Sequence, residues 1–136
     1  GVVGVAAARL SEDAHGRVMA LLAPLGAVVE LPERLFPVAT ALAGSGPGFV
    51  ALVAGALEAG AVAAGLPRGQ ARTMAAGVIA GTAALRADGG DPATLRQRVS
   101  SPGGTTIEGL QVMEAGAVRA HIAGAVRAAA RRAGEL

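Results

Sequence analysis

The chain has 136 residues, which allows one domain with its own core or one domain joined to part of another. Hydrophobic residues make up 52% of it but aromatic residues only 1%, so Ala, Val, Leu and Gly must form the packed interior, as in closely packed helices. The net charge is +2 and the twelve basic residues are all arginine, dispersed and without interleaved aromatic side chains, so nucleic-acid binding is not expected. The absence of cysteine excludes disulfides and thiolate catalysis.

The first 42 residues have the pattern of a strand, a helix and a second strand. Residues 1–8 form a valine-rich run typical of a buried parallel strand, Ser11 predicts a helix N-cap, and residues 27–31 predict the second strand. A lone βαβ unit leaves strand edges and a sheet face uncovered, so we expect this segment to be the end of a larger sheet. No glycine-rich nucleotide loop follows a strand in this sequence. No secretory signal is visible at the N terminus either, and we expect a cytoplasmic protein.

The rest of the chain, residues 43–136, has helical patterns throughout. After a short helix from Pro32 to about residue 42, Ser45 is interpreted as a cap and hinge, and Gly65 as the residue that ends the next helix. The predicted helices cover residues 47–64, 67–87, a short stretch from Pro92, 106–116 and 117–132. A turn is predicted at residues 88–91, with Asp91 as the next N-cap.

Several glycines lie inside these helices, where each costs about 1 kcal/mol relative to alanine. Gly77 and Gly81, four residues apart, predict a place where another helix approaches closely. Residues 48–66 also approach the length of a membrane span, but Glu58 lies in the middle and the alanines and glycines around it contribute little to insertion. We therefore expect a tight helix–helix contact and no membrane partner. His121 has no partner at metal-ligand spacing, so no metal site is predicted.

A turn at residues 99–107 is the best candidate for a binding site. Pro102 fixes its own φ, while Gly103 and Gly104 can adopt φ > 0, so the backbone can bend with its N–H groups converging. Because such a turn opens a helix, the unpaired N–H groups and the helix dipole favour a bound carboxylate or phosphate. The same residues equally fit a well-capped helix that only joins two others.

The start of that helix has the spacing of a capping box. Thr105 is predicted to be the N-cap and Glu108 to occupy N3, which leaves Thr106 at N1 with a free hydroxyl. That hydroxyl could donate a hydrogen bond to a ligand held at the turn.

Several stretches of the chain resemble the motifs of a known enzyme family. Residues 99–107, VSSPGGTTI, followed by Gly109-Leu110 and Met113-Glu114, are similar to the signature of the pyrroline-5-carboxylate reductases. Further matches are residues 39–47 (ATALAGSGP), 65–68 (GLPR) and 116–136. The resemblance spans essentially the whole chain but covers only the later part of such an enzyme. It implies a mainly α fold in which residues 43–136 form an all-helical dimerisation and substrate-binding domain, after a βαβ remnant of a Rossmann-type sheet in residues 1–42.

The resemblance also implies a function, the NAD(P)H-dependent reduction of 1-pyrroline-5-carboxylate to proline by a homodimer or higher homo-oligomer. The small cyclic imino acid would be held by its carboxylate and, at its ring nitrogen, by the catalytic Thr106. The implied substrate-binding residues are Ser101, Gly103, Gly104, Thr105 and Thr106. Ser45 and Gly46 are the candidate cofactor contacts, for NADPH or NADH, although the main nucleotide loop is absent from the chain.

Two alternatives stay open at the level of sequence. The chain could be a dimerisation module without catalytic activity that has lost its cofactor domain. It could also belong to a reductase of another cyclic imino acid, because a carboxylate site does not measure ring size.

Overall fold

The computed structural model describes residues 1–87 and 89–136 and shows the predicted fold class, mainly helical with a two-stranded parallel sheet at the N terminus. The strands are β1 (Val2–Val5) and β2 (Ala27–Glu30). The helices are α1 (Glu12–Leu22), α2 (Phe36–Ala39), α3 (Gly46–Ala63), α4 (Arg68–Ala84), α5 (Pro92–Arg98), α6 (Thr105–Ala115) and α7 (Val118–Gly134). The turn predicted at residues 88–91 begins at Asp88, which lies outside the described residues.

The chain divides into two compact units, the first comprising Gly1–Gly48 and Ile122–Leu136. In this unit β1 and β2 are parallel, with Val2 opposite Ala27. The hydroxyl oxygen of Ser11 accepts a hydrogen bond from the Ala14 amide at 3.4 Å, so the predicted N-cap of α1 is confirmed.

The first unit buries few side chains. Its buried hydrophobic residues are Val5, Ala7 and Ala41. An apolar hollow of about 560 Å³ lies beside the sheet, with Val29 and Phe36 among its lining residues. The sheet face is therefore covered only in part, as expected of the end of a larger sheet.

The connection from β2 to α3 is more continuous than the sequence predicts. A 3₁₀ turn, α2 and a π-helical segment, Thr40–Gly44, follow one another and lead into α3. Ser45 keeps helical dihedrals (φ −90°, ψ −21°), and among the described residues its hydroxyl has no hydrogen-bond partner. Ser45 therefore lies at the predicted boundary, as the C-cap of the π-helical segment, but it makes this cap with its backbone N–H and the helix continues without a break.

This helical stretch, Glu33–Ala63, is the one place in the described part of the chain that passes a length and hydropathy test for a membrane span, with a mean hydropathy of 1.5. Only 6% of its most apolar window is buried. A helix that packs against others in a soluble protein passes the same test, so the result by itself does not indicate a membrane.

The second unit, Phe49–His121, is helical. Gly65 has φ +108° and donates its N–H to the Val62 carbonyl at 3.0 Å, and the Leu66 N–H bonds to the Ala61 carbonyl at 3.0 Å. These two bonds form a Schellman motif, so the predicted end of α3 at Gly65 is confirmed.

One ion cluster joins α3 to α4 inside the second unit. The Glu58 carboxylate, 18% exposed, lies 3.5 Å from Arg68 Nη1 and 3.5 Å from Arg72 Nε. On α4 the buried residues are Ala71 and Ala75, which are one helical turn apart. Small side chains at this spacing let two helix backbones approach closely.

The glycines of α3 and α4 present open surface. A Cβ built on Gly55, Gly60, Gly77 or Gly81 would meet no atom within 4 Å in the described residues. Large apolar side chains of these two helices are also exposed, among them Leu52 (76%), Met74 (57%) and Val78 (57%). Much apolar surface is therefore free to pack against something other than this chain.

Candidate functional site

The predicted turn before α6 is present. The Gly104 N–H donates to the Ser101 carbonyl at 3.0 Å, Pro102 occupies the second position and Gly103, with φ +65°, the third. Proline second and a positive φ third, closed by this hydrogen bond, are the marks of a type II turn. The turn therefore needs glycine at position 103.

Gly104 is required for a different reason, since its φ of −82° suits any residue. A Cβ at this position would overlap the Ser101 Oγ and lie 3.0 Å from the Ser101 carbonyl oxygen. The Ser101 side chain therefore lies close to Gly104, the residue that precedes α6. This places a hydroxyl group beside the N terminus of α6.

The capping box predicted at Thr105 is wrong by one residue. Gly104 is the N-cap, with extended backbone (ψ 164°), and its carbonyl accepts hydrogen bonds from the amides of Ile107 at 3.1 Å and Glu108 at 3.4 Å. Thr105 is already helical, so its hydroxyl does not occupy the capping position, and Thr106 is at N2. Glycine is itself a favourable N-cap, and here the turn geometry places it before threonine.

The hydrogen-bond donors at the turn are only partly used. The Gly104 amide is committed to Ser101 within the turn, while those of Gly103, Thr105 and Thr106 have no partner in the described part of the chain. The hydroxyls of Ser101, Thr105 and Thr106 also have none there. Three of the four amides assigned to an anion site by sequence are therefore available, and the binding itself stays a prediction.

In this single chain the turn is open to solvent. Ser101, Pro102, Gly103 and Thr105 are exposed, and Thr106 is half-buried. A ligand held here would be enclosed on one side only. A reaction that must exclude water would require a second surface over the turn.

The remaining predicted contacts lie elsewhere. Ser45 and Gly46, the candidate cofactor contacts, are half-buried and belong to the helical stretch that leads into α3. His121 is exposed on α7. Among residues 1–87 and 89–136 no group of three histidine, cysteine or acidic side chains lies close enough to hold a metal ion.

One feature that the sequence analysis missed is an ion network that connects α5, α6 and α7. The Glu114 carboxylate of α6 lies 3.5 Å from Arg96 Nη1 of α5 and accepts a hydrogen bond from Arg119 of α7. The hydrogen bond from Arg119 and its charge lower the pKa of Glu114, and the charge of Arg96 lowers it further. The hydrogen bond to Glu114 and the charge of that carboxylate raise the pKa of Arg119. The acid–base spacing of five residues across Gly116 is a signal that could have suggested the Arg119 contact.

Comparison with known proteins connects this fold and turn to one class of enzyme. Residues 33–136 match the family described as pyrroline-5-carboxylate reductase dimerisation. A pyrroline-5-carboxylate reductase of Synechocystis sp. is 44% identical over 138 residues, which cover 100% of this chain and 52% of that protein.

Solved structures of enzymes with the same name also superimpose on this chain. The pyrroline-5-carboxylate reductase of Coxiella burnetii superimposes with a TM-score of 0.94 at 30% identity, covering 99% of this chain and 51% of that one. The pyrroline carboxylate reductase of Plasmodium falciparum, solved with NADP bound, gives a TM-score of 0.81 at 26% identity, covering 93% and 51%. This chain therefore spans about half the length of these relatives.

The class is thus a helical dimerisation domain of oxidoreductases, preceded here by a two-stranded parallel sheet. More particularly, the chain belongs to the pyrroline-5-carboxylate reductase dimerisation family.

Proposed function

We propose that this chain is the C-terminal part of an NAD(P)H-dependent pyrroline-5-carboxylate reductase and that it carries the substrate end of the active site. The observation that supports the proposal most directly is the turn before α6, where amides and hydroxyls without a partner among the described residues lie at one helix N terminus. The family match covers all of these residues.

In the proposed site the amides of Gly103, Thr105 and Thr106 bind the substrate carboxylate. The helix dipole and the N–H groups favour a negative charge at this point. Ser101 adds a hydroxyl donor beside the same helix end. A neutral ligand without a carboxylate would gain much less from this arrangement.

The Thr106 hydroxyl is proposed to hydrogen-bond the ring nitrogen of the cyclic imine. When bound, a reduced nicotinamide would supply the hydride for the C=N carbon, and the ring nitrogen would take up one proton to give the cyclic amine. Thr106 orients the nitrogen and stabilises it as its protonation changes during the reaction. A half-buried side chain suits this role because its position is constrained by its neighbours.

The residues of this chain do not fit the pyrophosphate of the cofactor. The connection from β1 to α1, residues 6–11, contains no glycine, whereas a dinucleotide loop needs glycines for close backbone approach. We therefore assign cofactor binding mainly to the part of the protein that this chain does not span, with Ser45 and Gly46 as additional candidates.

A second copy of the chain is proposed to cover the exposed turn and the open glycine faces of α3 and α4. Small residues on those helices allow close helix packing between subunits. A cytoplasmic location and the absence of nucleic-acid and membrane partners stay predictions.

The experiment is Thr106→Val in the intact protein, an exchange that removes the hydroxyl and keeps the shape. We expect the turnover number with pyrroline-5-carboxylate to fall by about 10²-fold, in the range of general acid–base contributions, with a melting temperature within about 2 °C of the parent. Thr73→Val is the matched control, because its hydroxyl donates to the Gly69 carbonyl of its own helix at 3.1 Å and lies outside the turn. Equal turnover in both variants would exclude Thr106 from the mechanism.

The same assay separates the alternatives. A wild-type protein that reduces no cyclic imino acid would favour a dimerisation module without activity. A higher kcat/KM with a six-membered cyclic imino acid than with the five-membered one would favour a reductase of another substrate.

A further inference from the structure

We infer that the ion network of Arg96, Glu114 and Arg119 is a positioning device that sets the orientation of the substrate turn. The inference rests on the proposed function of that turn but concerns residues outside it. It is argued from the three helices that the network joins. Arg96 lies before the turn on α5, Glu114 lies after it on α6, and Arg119 lies on α7, beyond the junction that ends α6.

The first ion pair of the network, between Arg96 and Glu114, joins the two helices on either side of the turn. Arg96 lies on α5, before the turn, and Glu114 lies at the far end of α6, after it, yet Arg96 Nη1 and a Glu114 carboxylate oxygen are 3.5 Å apart. The turn residues between them cannot change the angle between α5 and α6 without separating these two charges. The pair therefore restrains the direction from which the α6 N terminus is presented.

Few other contacts within the second unit restrain α5. Of its seven residues only Leu95 is half-buried, and the other six are exposed. Its N terminus is capped locally by Asp91, which accepts from the Thr94 amide at 3.2 Å, and its C terminus by the Ser100 hydroxyl, which donates to the Arg96 carbonyl at 2.7 Å. These bonds stabilise α5 itself but do not hold it against α6. The orientation of α5 relative to α6 therefore depends strongly on the ion pair of Arg96 and Glu114.

The second connection crosses the junction between α6 and α7. Ala117 has φ +54°, a left-handed conformation that is unfavourable for a residue with a Cβ. The Glu114 carboxylate and the Arg119 guanidinium bridge this junction. Arg119 also fixes the Glu114 carboxylate in place as the partner of Arg96. Two guanidinium groups that share one carboxylate restrain geometry better than an isolated surface pair.

The test compares Arg96→Glu with Arg98→Glu in the intact protein. Arg98 lies on the same short helix, is exposed, is closer to the turn in sequence and has no ion-pair partner among the described residues. We expect Arg96→Glu to raise the KM for the cyclic imino acid by about tenfold, because a like charge then faces Glu114. The KM for the nicotinamide cofactor should stay within about twofold, and Arg96→Lys should recover most of the loss. Arg98→Glu should change either KM by less than about twofold.

A second measurement does not depend on activity. Hydrogen–deuterium exchange of peptides from α5 and the first turns of α6 should be at least about threefold faster in Arg96→Glu and in Glu114→Gln than in Arg98→Glu. Equal exchange in Arg96→Glu and Arg98→Glu, or an equal rise in both KM values, would overturn the inference. If the wild-type protein reduced no cyclic imine, the proposed function would fail, and the exchange measurement would still decide whether the network positions the turn.

Discussion

The N-terminal βαβ segment and the α3–α4 hairpin both leave apolar surface uncovered, but they are incomplete in different ways. The two strands have free edges, whose backbone N–H and C=O groups need further strands as partners. In the helical hairpin every interior backbone group is paired within its helix, and only side chains and glycine faces are open.

This difference indicates what completes each region. A strand edge requires a neighbour in a defined register, which a longer stretch of the same protein supplies most simply. A helix face requires only a complementary surface, which a second copy of the same helices can provide. We therefore expect the first region to be completed by further strands and the second by association.

The largest expected effect comes from filling an open glycine face of the hairpin. Gly77→Leu introduces a side chain where a Cβ would meet no atom within 4 Å beyond its own helix backbone in the described residues, so it should do no harm to an isolated chain. If a second copy covers this face, overpacking should cost about 1–3 kcal/mol per copy and weaken self-association. Sedimentation of the intact protein measures the effect.

Gly16→Leu on α1 is the matched control, because Gly16 also has open space around it but lies in the βαβ segment. We expect this variant to keep the association state of the parent. Equal weakening by both variants, or by neither, would show that the hairpin face does not form the subunit contact.

The sequence predicted those features that depend on neighbouring residues. Ser11, Gly65 and Asp91 end or begin helices as predicted, because each uses a backbone group two to four positions away. For α6 the sequence predicts the N-cap at Thr105, whereas the structure has it at Gly104. Both residues are acceptable N-caps, and the geometry of the preceding turn determines which one is used.

Features that depend on residues far apart in sequence could not be predicted in this way. The contact between Arg96 and Glu114 joins residues eighteen positions apart, and it exists only because the turn folds α5 back along α6. The π-helical segment before α3 likewise reflects how that stretch packs, because its sequence also suits an ordinary helix followed by a cap. The substrate role of the turn was implied by family resemblance and stays a prediction.

A smaller effect is expected from the ion cluster that closes the hairpin. Glu58→Gln removes the charge that faces Arg68 and Arg72, whose side chains are 71% and 72% exposed. Solvent screening at these arginines limits the loss to about 0.5–1 kcal/mol in the free energy of unfolding, measured by urea denaturation. Glu108→Gln, an exposed acid without an ion-pair partner in the described part of the chain, should change stability by less than that. Equal losses would mean that Glu58 does not hold α3 and α4 together.

The smallest expected effect is a pH dependence at the α5–α6–α7 network. The hydrogen bond and charge of Arg119, with the charge of Arg96, hold the pKa of Glu114 below its ordinary value of 4.5 in the folded protein. A carboxyl whose pKa is lowered by folding contributes stability that is fully present above its unfolded value and is lost as pH falls through the folded value. The hydrogen–deuterium exchange of α5, corrected for its intrinsic pH dependence, should therefore stay constant from pH 7 to about 5 and increase only below the ordinary glutamate range. In Glu114→Gln this step should be absent, whereas an unchanged step would assign it to another carboxyl group.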